Sequence, residues 1–120
     1  MKIAISANDS SLESTLDMRF GRAPSFLIYE LEQQTYKSID NTQNLSSAQG
    51  AGIQSAQNLV NADVKVLITG NVGPKAFQVL KTAGVDIYLT PQTTIQEAID
   101  NFKAGKLTKS ETNNVEGHWV

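Results

Sequence analysis

Apolar and polar residues alternate from Lys2 to Ala7, with β-branched Ile3 and Ile5 on one side, so the pattern predicts a first strand with one buried face. Residues 8–17 are polar and run on into Met18, Arg19, Phe20, Gly21, Arg22, Ala23 and Pro24, a long loop punctuated by its glycine and proline. Residues 25–31 form an apolar run suited to an interior strand, and residues 35–40 follow as its hairpin partner. After polar residues 41–49, Gly50-Ala51-Gly52 opens a segment in which Ile53, Ala56, Leu59 and Val60 recur at helical spacing. Residues 64–68 predict a fourth strand. Pro74 then suits a first helical position, ahead of Ala76, Phe77, Val79, Leu80 and Ala83. Gly84 stops this second helix, residues 85–89 form a fifth strand, and Thr94-Ile95-Gln96-Glu97 is a capping box before Ala98, Ile99 and Phe102. Gly105 ends the third helix.

The order of these elements predicts an α/β protein. Three closely spaced strands followed by two helix-plus-strand units require a mixed sheet, because the hairpin imposes an antiparallel strand while the crossovers impose parallel ones. Right-handed crossovers and a strand order of 3-2-1-4-5, with the second strand antiparallel, give three α/β/α layers. Residues 1–105 read as one domain and residues 106–120 as a polar, loosely ordered tail.

Composition narrows the chemistry. The 120 residues include no cysteine, which removes thiolate metal sites, catalytic cysteines and a disulfide framework. Ten Lys and Arg against twelve Asp and Glu leave a net charge of −2, without the basic field that nucleic acid demands. Neither a signal peptide nor a membrane span is legible, and the expected location is the cytoplasm.

In the predicted sheet the carboxyl end of the first strand, the loop entering the second, the start of the first helix and residues 70–74 converge on one edge. Open α/β sheets bind ligands at such an edge. Gly50, Gly52, Gly70 and Gly73 permit close backbone approach, and two helix N-termini there offer unpaired N–H groups and partial positive charge. Arg22 adds a weakly hydrated cation suited to a large anion, assisted by Arg19 and Lys75. The same residues also read as ordinary turns, caps and a structural arginine, because Gly-x-x-Gly-Pro is a weak motif. No G-x-G-x-x-G or Walker pattern supports a nucleotide. His118, the only histidine, reads first as a tail residue and second as a metal ligand, since one imidazole without cysteine cannot complete a tetrahedral protein site. Catalytic signals are sparse: the serines lack an elbow motif, and the first strand carries no carboxylate for a two-metal centre.

The segment Phe20-Gly21-Arg22-Ala23-Pro24-Ser25-Phe26 resembles the signature of the dinitrogenase iron-molybdenum cofactor biosynthesis family. That family includes nitrogenase cofactor carriers and the molybdenum-copper orange protein of sulfate reducers. The likeness continues through Asn44, Gly50-Ala51-Gly52-Ile53 with Ala56-Gln57, residues 70–77, and residues 80–88, and so covers about residues 1–105. It implies a ribonuclease-H-like fold without nuclease chemistry, and a non-catalytic carrier that holds an anionic metal-sulfur cluster containing molybdenum, with copper or iron, without a covalent bond.

On that reading Gly21, Arg22, Ala23, Pro24, Gly50, Ala51, Gly52, Gly70, Asn71 and Gly73 frame the cluster, and Met18, Phe20 and Val72 supply an apolar wall. The expected partners are the cluster and its donor or acceptor proteins, with the chain a monomer or weak homodimer. Two other classes stay open: a metal-independent interaction or regulatory module, and a small phosphoester hydrolase using Asp9 or Asp17.

Overall fold

A computed structural model describes residues 1–42 and 51–111. Strands β1 (Lys2–Ala7), β2 (Ser25–Glu30), β3 (Thr35–Asp40), β4 (Val66–Thr69) and β5 (Asp86–Leu89) form one sheet in the order β3-β2-β1-β4-β5. β2 is antiparallel to β1 and β3, whereas β1, β4 and β5 are mutually parallel. The carboxyl ends of β1, β3, β4 and β5 therefore share one edge, which we call the carboxyl edge. Helices α1 (Ala51–Asn61) and α2 (Pro74–Thr82) bury their apolar faces against Ala4, Phe26, Ile28, Leu67 and Ile87. Helix α3 (Ile95–Lys103) covers Ile3, Ile5, Leu27, Tyr29 and Ile68 on the opposite face. The fold class and strand order are those expected from the element sequence.

β1 departs from its one-faced prediction. Residues 3–7 are all buried, because the strand lies in the middle of three layers and even the short side chain of Ala4 meets the α1/α2 layer. Ser6 is the polar member of that row and is fully buried. Its hydroxyl donates to the Asp17 carbonyl at 2.6 Å and lies 2.7 Å from the Thr69 hydroxyl, which leaves Thr69 to donate to Ser6. Burial is tolerated there because the polar atoms find partners.

The helix ends follow local chemistry. Pro74 occupies the first turn of α2 after Gly73, and Thr94 Oγ1 accepts the Glu97 N–H at 3.2 Å at the start of α3. The Glu97 carboxylate takes a hydrogen bond from the Thr93 hydroxyl at 2.8 Å. Gly84 and Gly105, at φ of +81° and +73°, follow α2 and α3 in the left-handed conformation that closes such helices. The predicted tail begins with structure: Ser110 N–H donates to the Ile87 carbonyl at 2.7 Å, and Lys109 bridges to Tyr88 along the outer side of β5. No helix of the described residues is long and apolar enough to cross a membrane.

Candidate functional site

The loop between β1 and β2 crosses the carboxyl edge from one side of the sheet to the other. Leu16 is fully buried in the α3-side core, and four residues later Phe20 is fully buried in the α1/α2-side core. The backbone here is tied on both sides: Asp17 N–H donates to the Ser6 carbonyl of β1 at 2.9 Å, and Leu16 N–H to the Thr93 carbonyl just before α3 at 2.9 Å. A polar sequence predicts a solvent loop here. Two apolar side chains and these bonds make it part of the fold.

Asn71, immediately after β4, grips the same loop twice. Its side-chain amide donates to the Met18 carbonyl at 3.0 Å, and its own carbonyl accepts the Phe20 N–H at 3.2 Å. The loop then tightens into a 3-10 turn, Phe20–Arg22, which packs against α1 while the Phe20 ring stacks obliquely on Phe26 at 5.2 Å. A second asparagine fixes the exit. The Asn41 side chain donates to the Ala23 carbonyl at 2.8 Å and accepts the Ser55 hydroxyl of α1 at 3.0 Å, and both side chains are buried. These two asparagines bring the Arg22 turn between the first turns of α1 and the 70–73 segment that leads into α2.

Of the residues expected at the site, Met18, Arg22, Pro24 and Asn71 are half-buried and reach the surface, with Arg19 and Lys75 exposed beside them. Gly21, Ala23, Ala51, Gly52, Gly70 and Gly73 are buried in the frame behind them. Gly50 and His118 lie outside the described residues.

Two expectations are corrected. Phe20 and Val72 form no exposed wall, because each is fully enclosed in the α1/α2-side core and acts by anchoring its segment. Gly70 is approached closely, but by Met18: a Cβ at this position would meet the Met18 Sδ and Cε at 2.5 Å and its Cα at 2.9 Å. Met18 packs toward the α3-side core, opposite to Phe20.

The electrostatics divide the edge. On the β1–β2–β3 half a cleft of about 330 Å³ is lined by Asn8, Asp9, Ser10, Pro24, Ser25, Ser38 and Asp40. The Thr42 backbone N–H, then its hydroxyl, hold the Asp40 carboxyl below the usual carboxylate range. An anion is disfavoured there. On the β1–β4 half stand Arg19, which bridges to Asn71, and Lys75 in the first turn of α2, while Arg22 ends the turn that leads from there toward β2. Because Gly73 caps that helix without a side-chain bond and Pro74 lacks an N–H, its first amides point out of the helix with no acceptor of its own. Among the described residues no group of three His, Cys, Asp or Glu side chains is placed to hold a metal ion.

Sequence reasoning missed Asn41, Ser6, Thr69 and Leu16. Their polar or isolated character gives no periodic signal, and each acts through a partner distant in the chain.

Comparison with known proteins agrees with this architecture. A family model described as dinitrogenase iron-molybdenum cofactor matches residues 1–105. An uncharacterised protein of Methanocaldococcus jannaschii is 38% identical over 114 residues, spanning 92% of each chain. The apo form of the orange protein from Desulfovibrio gigas superposes with a TM-score of 0.93 at 34% identity, over 95% of this chain and 96% of that one. A NifB-like protein from Thermotoga, solved in solution, superposes with a TM-score of 0.85 at 40% identity, over 97% and 98%. The Arg22 turn, the 70–73 segment and the five-stranded sheet that joins them all fall within the matched region, and the chain belongs to the dinitrogenase iron-molybdenum cofactor family.

Proposed function

We propose that this protein is a non-catalytic carrier that holds an anionic metal-sulfur cluster as cargo at the β1–β4 half of the carboxyl edge. The cluster contains molybdenum, with copper or iron, and is bound without a covalent link. It is received from and passed to other proteins in the cytoplasm. The observation that carries this reading is the double grip of Asn71 on the Met18–Phe20 backbone, which sets the Arg22 turn beside the start of α2.

The residues fit such a cargo. Terminal sulfides of a thiometallate accept diffuse hydrogen bonds, and a guanidinium and helix-start amides supply them at low desolvation cost. Arg22 is the central cation, with Arg19 and Lys75 adding positive potential from the surface and Asn71 and Gly73 shaping the approach. The acidic cleft on the other half confines an anion to this side. The family membership and the likeness to the orange protein support the same assignment.

The test is to incubate the purified chain with tetrathiomolybdate and copper, remove free reagents by desalting, and record the visible spectrum. A retained chromophore is expected, weakened by added salt. Arg22→Ala should loosen it by about tenfold to a hundredfold, the effect of one charge-assisted hydrogen bond. Absence of any retained chromophore, or full retention by the Arg22→Ala protein, would overturn the reading.

A further inference from the structure

The two outer strands of the sheet differ in how they end. β5 is covered by the chain itself, through the Lys109 bridge and the Ser110 N–H bond to Ile87. β3 has no such cover among the described residues, and its residues are exposed except for half-buried Ile39, with Tyr36 at 46% of its maximum.

The direction of its free backbone groups follows from the ladder. Asn41 N–H donates to the Pro24 carbonyl at 2.9 Å, and in the Ser25↔Asp40 register antiparallel pairs alternate between bonded and non-bonded. Thr35, Lys37 and Ile39 thus spend their backbone groups on β2. Tyr36, Ser38 and Asp40 turn theirs outward.

We infer that β3 is a docking edge for a second copy of this chain, which adds its own β3 antiparallel to form a continuous sheet across a two-fold axis. Cross-strand neighbours must share a face, so near the middle of the strand the axis can pass only through Lys37 or through Ser38. An axis at Lys37 sets two ammonium groups opposite each other in a close non-bonded pair and leaves Asp40 without a strand partner. An axis at Ser38 pairs Ser38 with itself and Tyr36 with Asp40 in both directions. Every outward N–H and C=O of the strand is then used, and Lys37 faces Ile39 of the second copy. Charge and hydrogen bonding select the same register. With one cation and one anion in the strand, the two edges carry no net repulsion. The arrangement also sets Tyr36 of the second copy opposite Asp40, at the rim of the acidic cleft that Ser38 and Asp40 line.

So short a contact buries less than a permanent interface does, and the dimer is weak and concentration-dependent. The test combines sedimentation over a concentration series with residue-resolved amide exchange. Self-association is expected to slow exchange at Tyr36, Ser38 and Asp40 as concentration rises, while Lys37 and Ile39 stay protected throughout. Ser38→Pro removes an outward N–H that β2 does not use, so the hairpin persists, and the dimer should weaken about thirtyfold for two lost hydrogen bonds. An Ala variant of Ser38, which keeps its amide, should dimerise as the parent does. A chain that stays monomeric at millimolar concentration with freely exchanging Tyr36, Ser38 and Asp40 amides overturns the proposal, as does a dimer that Ser38→Pro leaves unchanged.

Discussion

The two ends of the strands are joined by different physical means. At the amino end the connections are local turns: Gln34, Asp63, Gly84 and Gly105 lie there, with φ of 56°, 63°, 81° and 73°, and these are the positive-φ residues among those described. Each reverses the chain through its own backbone conformation. At the carboxyl edge the connections are held by tertiary contact, through Leu16 and Phe20 in the two cores and the side chains of Ser6, Asn41, Thr69 and Asn71. Glycine shows the contrast. A Cβ on Gly84 would meet nothing within 4 Å, so only its φ is special, whereas Gly70 lacks a positive φ and is required by the proximity of Met18. An edge built by tertiary contacts can gather groups from distant parts of the chain, which is what an anion site needs.

Substitutions can break or sharpen this contrast. The largest effect is expected from Phe20→Ala, which empties a fully buried position and frees the Arg22 turn; urea unfolding should report a loss of about 3–5 kcal/mol. Loss well under this range would mean that the crossing loop is held by its hydrogen bonds alone. Next comes Gly70→Ala, at about 1–3 kcal/mol of overpacking. Combining it with Met18→Ala should restore only part, because the Met18 Cα would still stand 2.9 Å from the new Cβ. Gly84→Ala at the amino end should cost about 1–2 kcal/mol through its left-handed backbone, whatever stands at position 18. Were Gly84→Ala relieved by Met18→Ala, the division between conformation and proximity would collapse.

The smallest effect concerns pH. Thr42 lowers the Asp40 pKa in the native state. The stabilisation from this carboxylate is therefore complete above its unfolded value of about 3.9, and is lost as pH falls through the lower native value. Asp40→Asn should flatten the acid side of the stability profile, with a small loss at neutral pH and little change below the native pKa, as thermal unfolding between acid and neutral pH can check.

Most of the fold was legible in the sequence. Strand and helix positions agree with the apolar periodicity to within a residue or two: β4 runs from Val66 to Thr69 where residues 64–68 were expected, and β5 begins at Asp86, one residue late. Pro74, Thr94, Gly84 and Gly105 mark helix ends by chemistry that acts within a few residues. The candidate site was legible only as a list. Arg22, Asn71 and Gly70 stand out by residue type, but nothing local reveals that Asn71 holds Met18 and Phe20, or that Gly70 makes room for Met18.

What the sequence determined by itself was each element and the need for a mixed sheet, because periodicity, caps, turn residues and connection lengths act over short stretches of chain. Which side of the sheet each loop residue enters, and which half of the carboxyl edge gathers positive charge, was decided by the tertiary structure. Leu16 and Phe20 are only four residues apart yet lie in opposite cores, and that separation exists only once β1 and β4 are side by side beneath them.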